Sequence, residues 1–161
     1  LLRPLLKNTD FCAMQPLNFP KFNFRVKNTE NQLRIFDIVR KKFVLLQPEE
    51  WVRQHTIHYL HENKNYPLSH INVEKQLTIN GLKKRYDIVV FNVEGDIHLL
   101  VECKAPQITV DQKTFDQIAR YNTKVNSKFL MVTNGLHHYY CQMDVIKEKY
   151  LFLKDIPEFS L

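Results

Sequence analysis

The chain has little glycine and little cysteine, and each shortage excludes something. Glycine occurs only at Gly81, Gly95 and Gly135 among 161 residues. Neither GxxxxGK[ST] nor GxGxxG can be assembled from them, so no P-loop motor and no dinucleotide fingerprint is encoded here. The three cysteines, Cys12, Cys103 and Cys141, show no paired spacing. An odd, unpaired set argues against a disulfide framework and makes a reducing cytoplasm the expected setting. No run of apolar residues is long enough to span a bilayer, so no membrane association is expected. Arg3, Lys7 and Asp10 interrupt the apolar pieces before Ala13, so no signal peptide is read there. Met14 reads as a native start, with residues 1–13 an upstream extension.

Hydrophobic residues make up 44% of the sequence, enough for one domain with a core. The formal net charge is +6, a balance compatible with a nucleic-acid partner but not diagnostic of one.

Residues 1–31 are expected to form a partly irregular arm, because Pro16 and Pro20 oppose a helix. Phe19, Phe22 and Phe24 are placed to pin it to the domain. Residues 32–46 suit either a helical stripe (Ile35, Phe36, Val39, Phe43) or two short strands. Residues 48–63 read as a helix: Pro48 fits its first turn, and Glu49 and Glu50 favour its positive end. Strands are expected over 71–79, 82–92 and 97–105, joined by turns at Asn80-Gly81 and Glu94-Gly95. The third is nearly all apolar, which suggests a central strand covered on both faces. A helix over 110–126 with Asp111 as N-cap follows, then strands over 129–133 and 137–143 and a short edge strand near 150–153. The class is α/β, a mixed sheet flanked by helices. The domain is read as 32–155, with a tail over 156–161.

Charges interrupt this pattern at Asp87, Glu102 and Lys104. If Asn80-Gly81 and Glu94-Gly95 are both two-residue loops, Asp87 lies opposite Glu102 on one side and opposite Glu74 on the other. Opposed side chains are close, and like charges there are destabilising. Such carboxylates need a cation, and oxygen ligands suit Mg²⁺ or Mn²⁺. A lysine beside them suits metal-assisted attack of water on a phosphodiester. A salt-bridged edge, Asp87 with Arg85 or Lys83 and Glu102 with Lys104, is the alternative.

Asp87 and the ECK of Glu102, Cys103 and Lys104 resemble the motif of the PD-(D/E)XK nuclease superfamily, with Tyr86 in place of its usual proline. Gln117 and Tyr121 in the following helix resemble the QxxxY motif of one branch. With PEEWVRQH at 48–55 and TNG at 133–135, the whole resembles the N-terminal nuclease domain of type I restriction enzyme R subunits, in a short stand-alone form.

The resemblance implies a restriction-endonuclease-like core: three antiparallel strands, a helix and further strands, preceded by a short hairpin over 33–45. It implies a Mg²⁺-dependent (or Mn²⁺-dependent) endonuclease acting on DNA. Asp87 and Glu102 would be metal ligands, joined by the Cys103 backbone carbonyl and by Glu50, with Glu49 its rival; the strand register, not the resemblance, adds Glu74 as a candidate extra acid. Lys104 would be the catalytic lysine. Gln117 and Tyr121 would lie beside the site. Apart from the resemblance, the basic run Lys83, Lys84 and Arg85 reads as a solvated edge or, since it adjoins the site, as a phosphate contact. A motor or specificity subunit and a homodimer are the implied partners. The competing function is a catalytically silent module that binds DNA or a partner of a restriction or repair complex. A basic cluster at Arg34, Arg40, Lys41 and Lys42 reads as a solvated edge or a second phosphate contact. His55, His58 and His61, spaced three apart, and His137-His138 raise a zinc reading that lacks a CxxC partner.

Overall fold

The computed structural model describes residues 14–144 and 146–161. Cys12 and the reading of residues 1–13 as an extension lie outside them.

Among the described residues, two sheets and two α-helices make up the fold. Strands β1 (Val26–Thr29), β2 (Gln32–Asp37) and β3 (Lys42–Leu45) form a three-stranded antiparallel sheet. Residues 32–46 are therefore strands, as the resemblance implied. β1 lies within the stretch expected to be partly irregular, beyond its prolines. Helix α1 (Pro48–His58) continues as a π-helical turn over Tyr59–Asn63. Then come β4 (Ile71–Ile79), β5 (Leu82–Phe91), β6 (Ile97–Cys103), helix α2 (Gln112–Asn122), β7 (Phe129–Thr133), β8 (His138–Asp144) and β9 (Lys149–Leu153). These six strands lie in the order β4-β5-β6-β7-β8-β9, with β6 and β7 parallel and all other pairs antiparallel. Among the described residues no helix is long and apolar enough to cross a membrane.

β6 is the hub, flanked by β5 and β7. Its Leu99, Val101 and Cys103 pack with Val52, Ile57 and Leu60 of the α1 segment. Its Leu100 packs on the other face with Phe115 and Ala119 of α2. Burial on both faces explains its apolar composition. Asp111 caps α2 as expected, its Oδ1 accepting from the Thr114 N–H at 2.8 Å. The arm is pinned by its aromatics: the Phe24 ring lies 4.9 Å from Trp51 and 4.6 Å from His55.

Asn80 and Gly81 both have positive φ (50° and 76°), as a type I′ hairpin demands. The other hairpin differs from expectation. Its loop holds three residues, Val93, Glu94 and Gly95, closed by the Asn92 N–H donating to the Asp96 carbonyl at 2.9 Å. An irregularity between Val90 and Phe91 offsets the extra residue, so Ile88 still pairs with Val101.

A second departure lies at the acids. On β4, Ile71 and Val73 pack on the α1 side, but Leu77 and Ile79 pack on the α2 side. On β5, Ile88 and Val90 face α1 whereas Tyr86 faces α2. Unbroken alternation would keep each set on one face. The phase breaks where Glu74 and Asp87 drop out of the ladder, between the pairs Val73–Ile88 and Lys75–Tyr86. Glu74 takes a left-handed backbone, φ 53°, at this break.

Candidate active site

The β5–β6 ladder ends at Ile88–Val101, one step short of Asp87 and Glu102. The Asp87 carboxylate takes over where the backbone pairing stops: Oδ2 accepts from the Cys103 N–H at 2.8 Å. The other oxygen, Oδ1, accepts from Arg53 Nη2 at 2.7 Å. Asp87 is thus held between the end of β6 and helix α1. Lys104 follows at the β6 terminus, its own N–H donating to the Thr133 carbonyl at 2.8 Å.

Glu102 is met from the other side. Lys84 Nζ lies 3.1 Å from Glu102 Oε1, outside hydrogen-bonding geometry. That buried oxygen has no hydrogen-bond partner among the described residues. Burial, with the Asp87 charge adding to it against Lys84 and Lys104, pushes the Glu102 carboxyl above its usual range. The opposed acids of β5 and β6 are therefore electrostatic neighbours, one gripped from the α1 side and one from the α2 side.

Helix α1 supplies two acids with different surroundings. Glu50 accepts from Arg53 Nη1, from Arg40 Nη2 at 2.5 Å and from Gln54 Nε2 at 2.9 Å. Glu49 is half exposed, with Arg53 Nη2 at 3.4 Å. Burial and the neighbouring Asp87 charge raise its carboxyl, while Arg53 and Lys104 oppose them. Glu49 thus feels the charges of both Asp87 and Lys104. Glu74, opposite Asp87 by register, turns to Arg40 Nη1 at 3.3 Å, with Arg53 Nη1 4.0 Å away.

Two arginines that the motif does not contain knit these acids together. The Arg53 side chain is only 7% exposed and reaches Glu49, Glu50 and Asp87. Arg40 Nε pairs with fully buried Asp37 at 2.6 Å and its Nη2 with Glu50. Burial would raise Asp37, but the Arg40 backbone N–H, Gln54 and the Arg40 guanidinium together hold it below the usual carboxylate range. Arg40 was expected at a solvated edge or on a phosphate; instead it is committed to carboxylates. The Glu49/Glu50–Arg53 spacing of three and four on a helix was a legible signal for one of these contacts. Only Asp37, three residues before it, is a local partner of Arg40; Glu50 and Glu74 are distant in sequence, so nothing local placed Arg40 among the site acids.

Among the described residues, no three His, Cys, Asp or Glu side chains stand arranged to hold a metal ion, the histidines included. The guanidinium of Arg53 lies between Glu50 and Asp87 instead. Even so, the group is short of positive charge. Six carboxylates, Asp37, Glu49, Glu50, Glu74, Asp87 and Glu102, face four cations, Arg40, Arg53, Lys84 and Lys104. A buried Glu102 oxygen met, among the described residues, only by the Lys84 ammonium, beside Asp87 in an all-oxygen acid set, fits a hard divalent cation.

Gln117 and Tyr121 lie one turn apart on α2, both exposed. Tyr121 reaches toward the acids through Lys84, whose Nζ sits 4.2 Å from the Tyr121 ring centroid and 4.6 Å from that of Tyr86. Arg85 is exposed on β5. Cys103 is fully buried and its thiol is pushed well up by burial, so its side chain is part of the core.

The chain belongs to the type I restriction enzyme R protein N-terminus family (HSDR_N), whose profile matches residues 48–157. It is a restriction-enzyme, nuclease-like domain. Among solved structures it is similar to a fragment described as an HsdR subunit of a type I restriction enzyme from Vibrio vulnificus YJ016. The TM-score is 0.50 at 18% identity, over 70% of this chain and 24% of that one, a likeness of fold. The chain spans about a quarter of that fragment's length. A comparison with curated proteins finds no match.

Proposed function

We propose that the chain is a Mg²⁺-dependent endonuclease that hydrolyses DNA phosphodiester bonds at the β5–β6 edge. The observation that carries this reading is the coupling of Asp87 to β6: its carboxylate binds the Cys103 N–H beside Glu102 and immediately before Lys104. Membership of the restriction-enzyme family supports the substrate class.

Asp87, Glu102 and the Cys103 carbonyl are the groups that would hold Mg²⁺ or Mn²⁺. When bound, the cation supplies Lewis-acid polarisation of a phosphoryl oxygen and an acidified water. We assign the helical acid to Glu49, because Glu50 is already engaged by two arginines and Gln54. Glu74, on Arg40, remains an outer candidate. The Lys104 ammonium makes no ion pair within 4.0 Å among the described residues, which leaves it to orient a water or offset charge on the scissile phosphate. Gln117, Lys84 and Arg85 offer donors to the DNA backbone. A motor or specificity subunit, and a second copy for duplex cutting, belong to the same reading.

The experiment is cleavage of supercoiled plasmid by purified protein in Mg²⁺ or Mn²⁺, with Lys104→Ala alongside. Loss of cutting in a variant with an unchanged melting curve is expected. Cleavage that survives Lys104→Ala contradicts the assignment. A chain that binds DNA, takes no cation and cuts nothing is instead a silent binding module.

A further inference from the structure

We infer that the cleft between the tip of the β4–β5 hairpin and α2 is a binding site for a single unpaired nucleotide, its base against Tyr121 and its phosphate toward Lys84. The inference rests on the nuclease reading above and adds the form of the substrate.

The cleft arises from the phase break at Glu74 and Asp87. Past that break, the outer half of the hairpin turns Ile79, Lys84 and Tyr86 toward α2. The resulting cavity holds about 340 Å³ and is lined by Ile79, Leu82, Tyr86, Gln117 and Tyr121, with Lys84, Arg120 and Lys124 among its walls. Its volume falls at the small end of the range for ligand sites, roughly 300–1,000 Å³, which suits one nucleotide and not a duplex.

Three observations select the ligand. The lining is largely apolar and aromatic, and two of its large side chains are open to solvent: Leu82 is 67% exposed and Tyr121 53%. An exposed aromatic at a cleft is a stacking platform for a base. The walls carry Lys84, Arg120 and Lys124 and no carboxylate, and of the three only Lys84 is paired with an acid among the described residues, Glu102, so an anionic group is favoured over a neutral or cationic one. Finally, Tyr86 is fully buried, yet its hydroxyl has no hydrogen-bond partner among the described residues. A buried hydroxyl without a partner costs free energy, and an acceptor on a base edge would satisfy it.

Lys84 links this cleft to the acids. Its ammonium lies over both tyrosine rings and 3.1 Å from Glu102 Oε1. A phosphate drawn to Lys84 therefore arrives next to the proposed cation site. A paired base cannot enter the cleft without leaving its stack, so substrates with an unpaired base are favoured.

The test uses two fluorescein-labelled 20-mer duplexes, one fully paired and one with a single central unpaired 2-aminopurine, titrated with the intact chain in EDTA. The expected result is tighter binding of the unpaired duplex, on the order of tenfold, with quenching of the 2-aminopurine as it stacks. Tyr121→Ala is expected to abolish both the preference and the quenching, and Tyr121→Phe to retain both. Equal affinity for the two duplexes, or a preference that survives Tyr121→Ala, overturns the nucleotide site. It leaves the nuclease reading standing wherever plasmid cleavage still depends on Lys104. Binding to neither duplex overturns the nucleotide site, and the nuclease reading falls with it only if plasmid cleavage in Mg²⁺ fails as well.

Discussion

Arg53 and Asp87 meet where helix α1 crosses the end of the β5–β6 ladder, Nη2 donating to Oδ1 at 2.7 Å. The same guanidinium holds Glu50 through Nη1. It therefore fixes the position of an acid proposed to bind a cation while neutralising part of the carboxylate cluster. Arg53 is a positioning residue, and its removal strands buried charge.

Arg53→Ala is expected to cost about 3–5 kcal/mol of folding stability, the range for breaking a buried ion pair by deleting one partner. Urea denaturation at neutral pH reads this directly. A cost below about 1 kcal/mol, as for an exposed pair, would show that the cluster is solvated in solution.

Glu102 makes the protein's stability depend on pH in a particular direction. Burial raises its carboxyl in the folded state, so between the unfolded and folded values the folded chain binds more proton than the unfolded chain. Its contribution is therefore present below the unfolded carboxylate range and is lost as pH rises through the raised folded value. Glu102→Gln is expected to remove this loss and to melt higher than wild type at neutral pH without added metal. Thermal melts from pH 4 to 8 in EDTA test it, and identical profiles for the two proteins would count against the buried, unbonded oxygen.

His55 acts in the opposite sense. Burial between the arm and α1, against the Trp51 carbonyl bond and with the His58 charge, lowers it from 6.5 to about 4. The unfolded chain binds the proton first, so stability is lost as pH falls from about 6.5 toward 4. The full effect is about 3 kcal/mol at most. Its site is the contact with Phe24, 4.6 Å away, so acid weakens the docking of the arm. His55→Gln is expected to flatten that part of the stability curve; an unchanged acid limb in the variant would place the titration elsewhere.

Much of the fold was legible because its punctuation is local. Asn80-Gly81 and Asn134-Gly135 set strand ends that match β4, β5 and β7 closely. Asp111 announced the start of α2. β1 escaped notice because a short edge strand in a Phe- and Asn-rich arm carries no alternating pattern. The opposition of Asp87 and Glu102 was reached by a two-residue loop that is in fact three residues, rescued by the irregularity at Val90. The phase break was not legible at all: Glu74 has no residue-type preference for the left-handed backbone it adopts. The grip on Asp87 from the α1 side and on Glu102 from the α2 side was not legible either. Arg40 and Asp37 were invisible as site neighbours, since only the packing of the small sheet on α1 brings them to Glu50.

Cation binding at Asp87 and Glu102 is the claim on which the catalytic reading stands, and it does not depend on any partner or trigger for cutting. Isothermal titration of the intact chain with Mn²⁺ measures it. Saturable binding is expected in the wild type, weakened at least roughly tenfold in both Asp87→Asn and Glu102→Gln. A wild-type chain that takes up no Mn²⁺, or two variants that bind it as tightly as the wild type, would contradict the account.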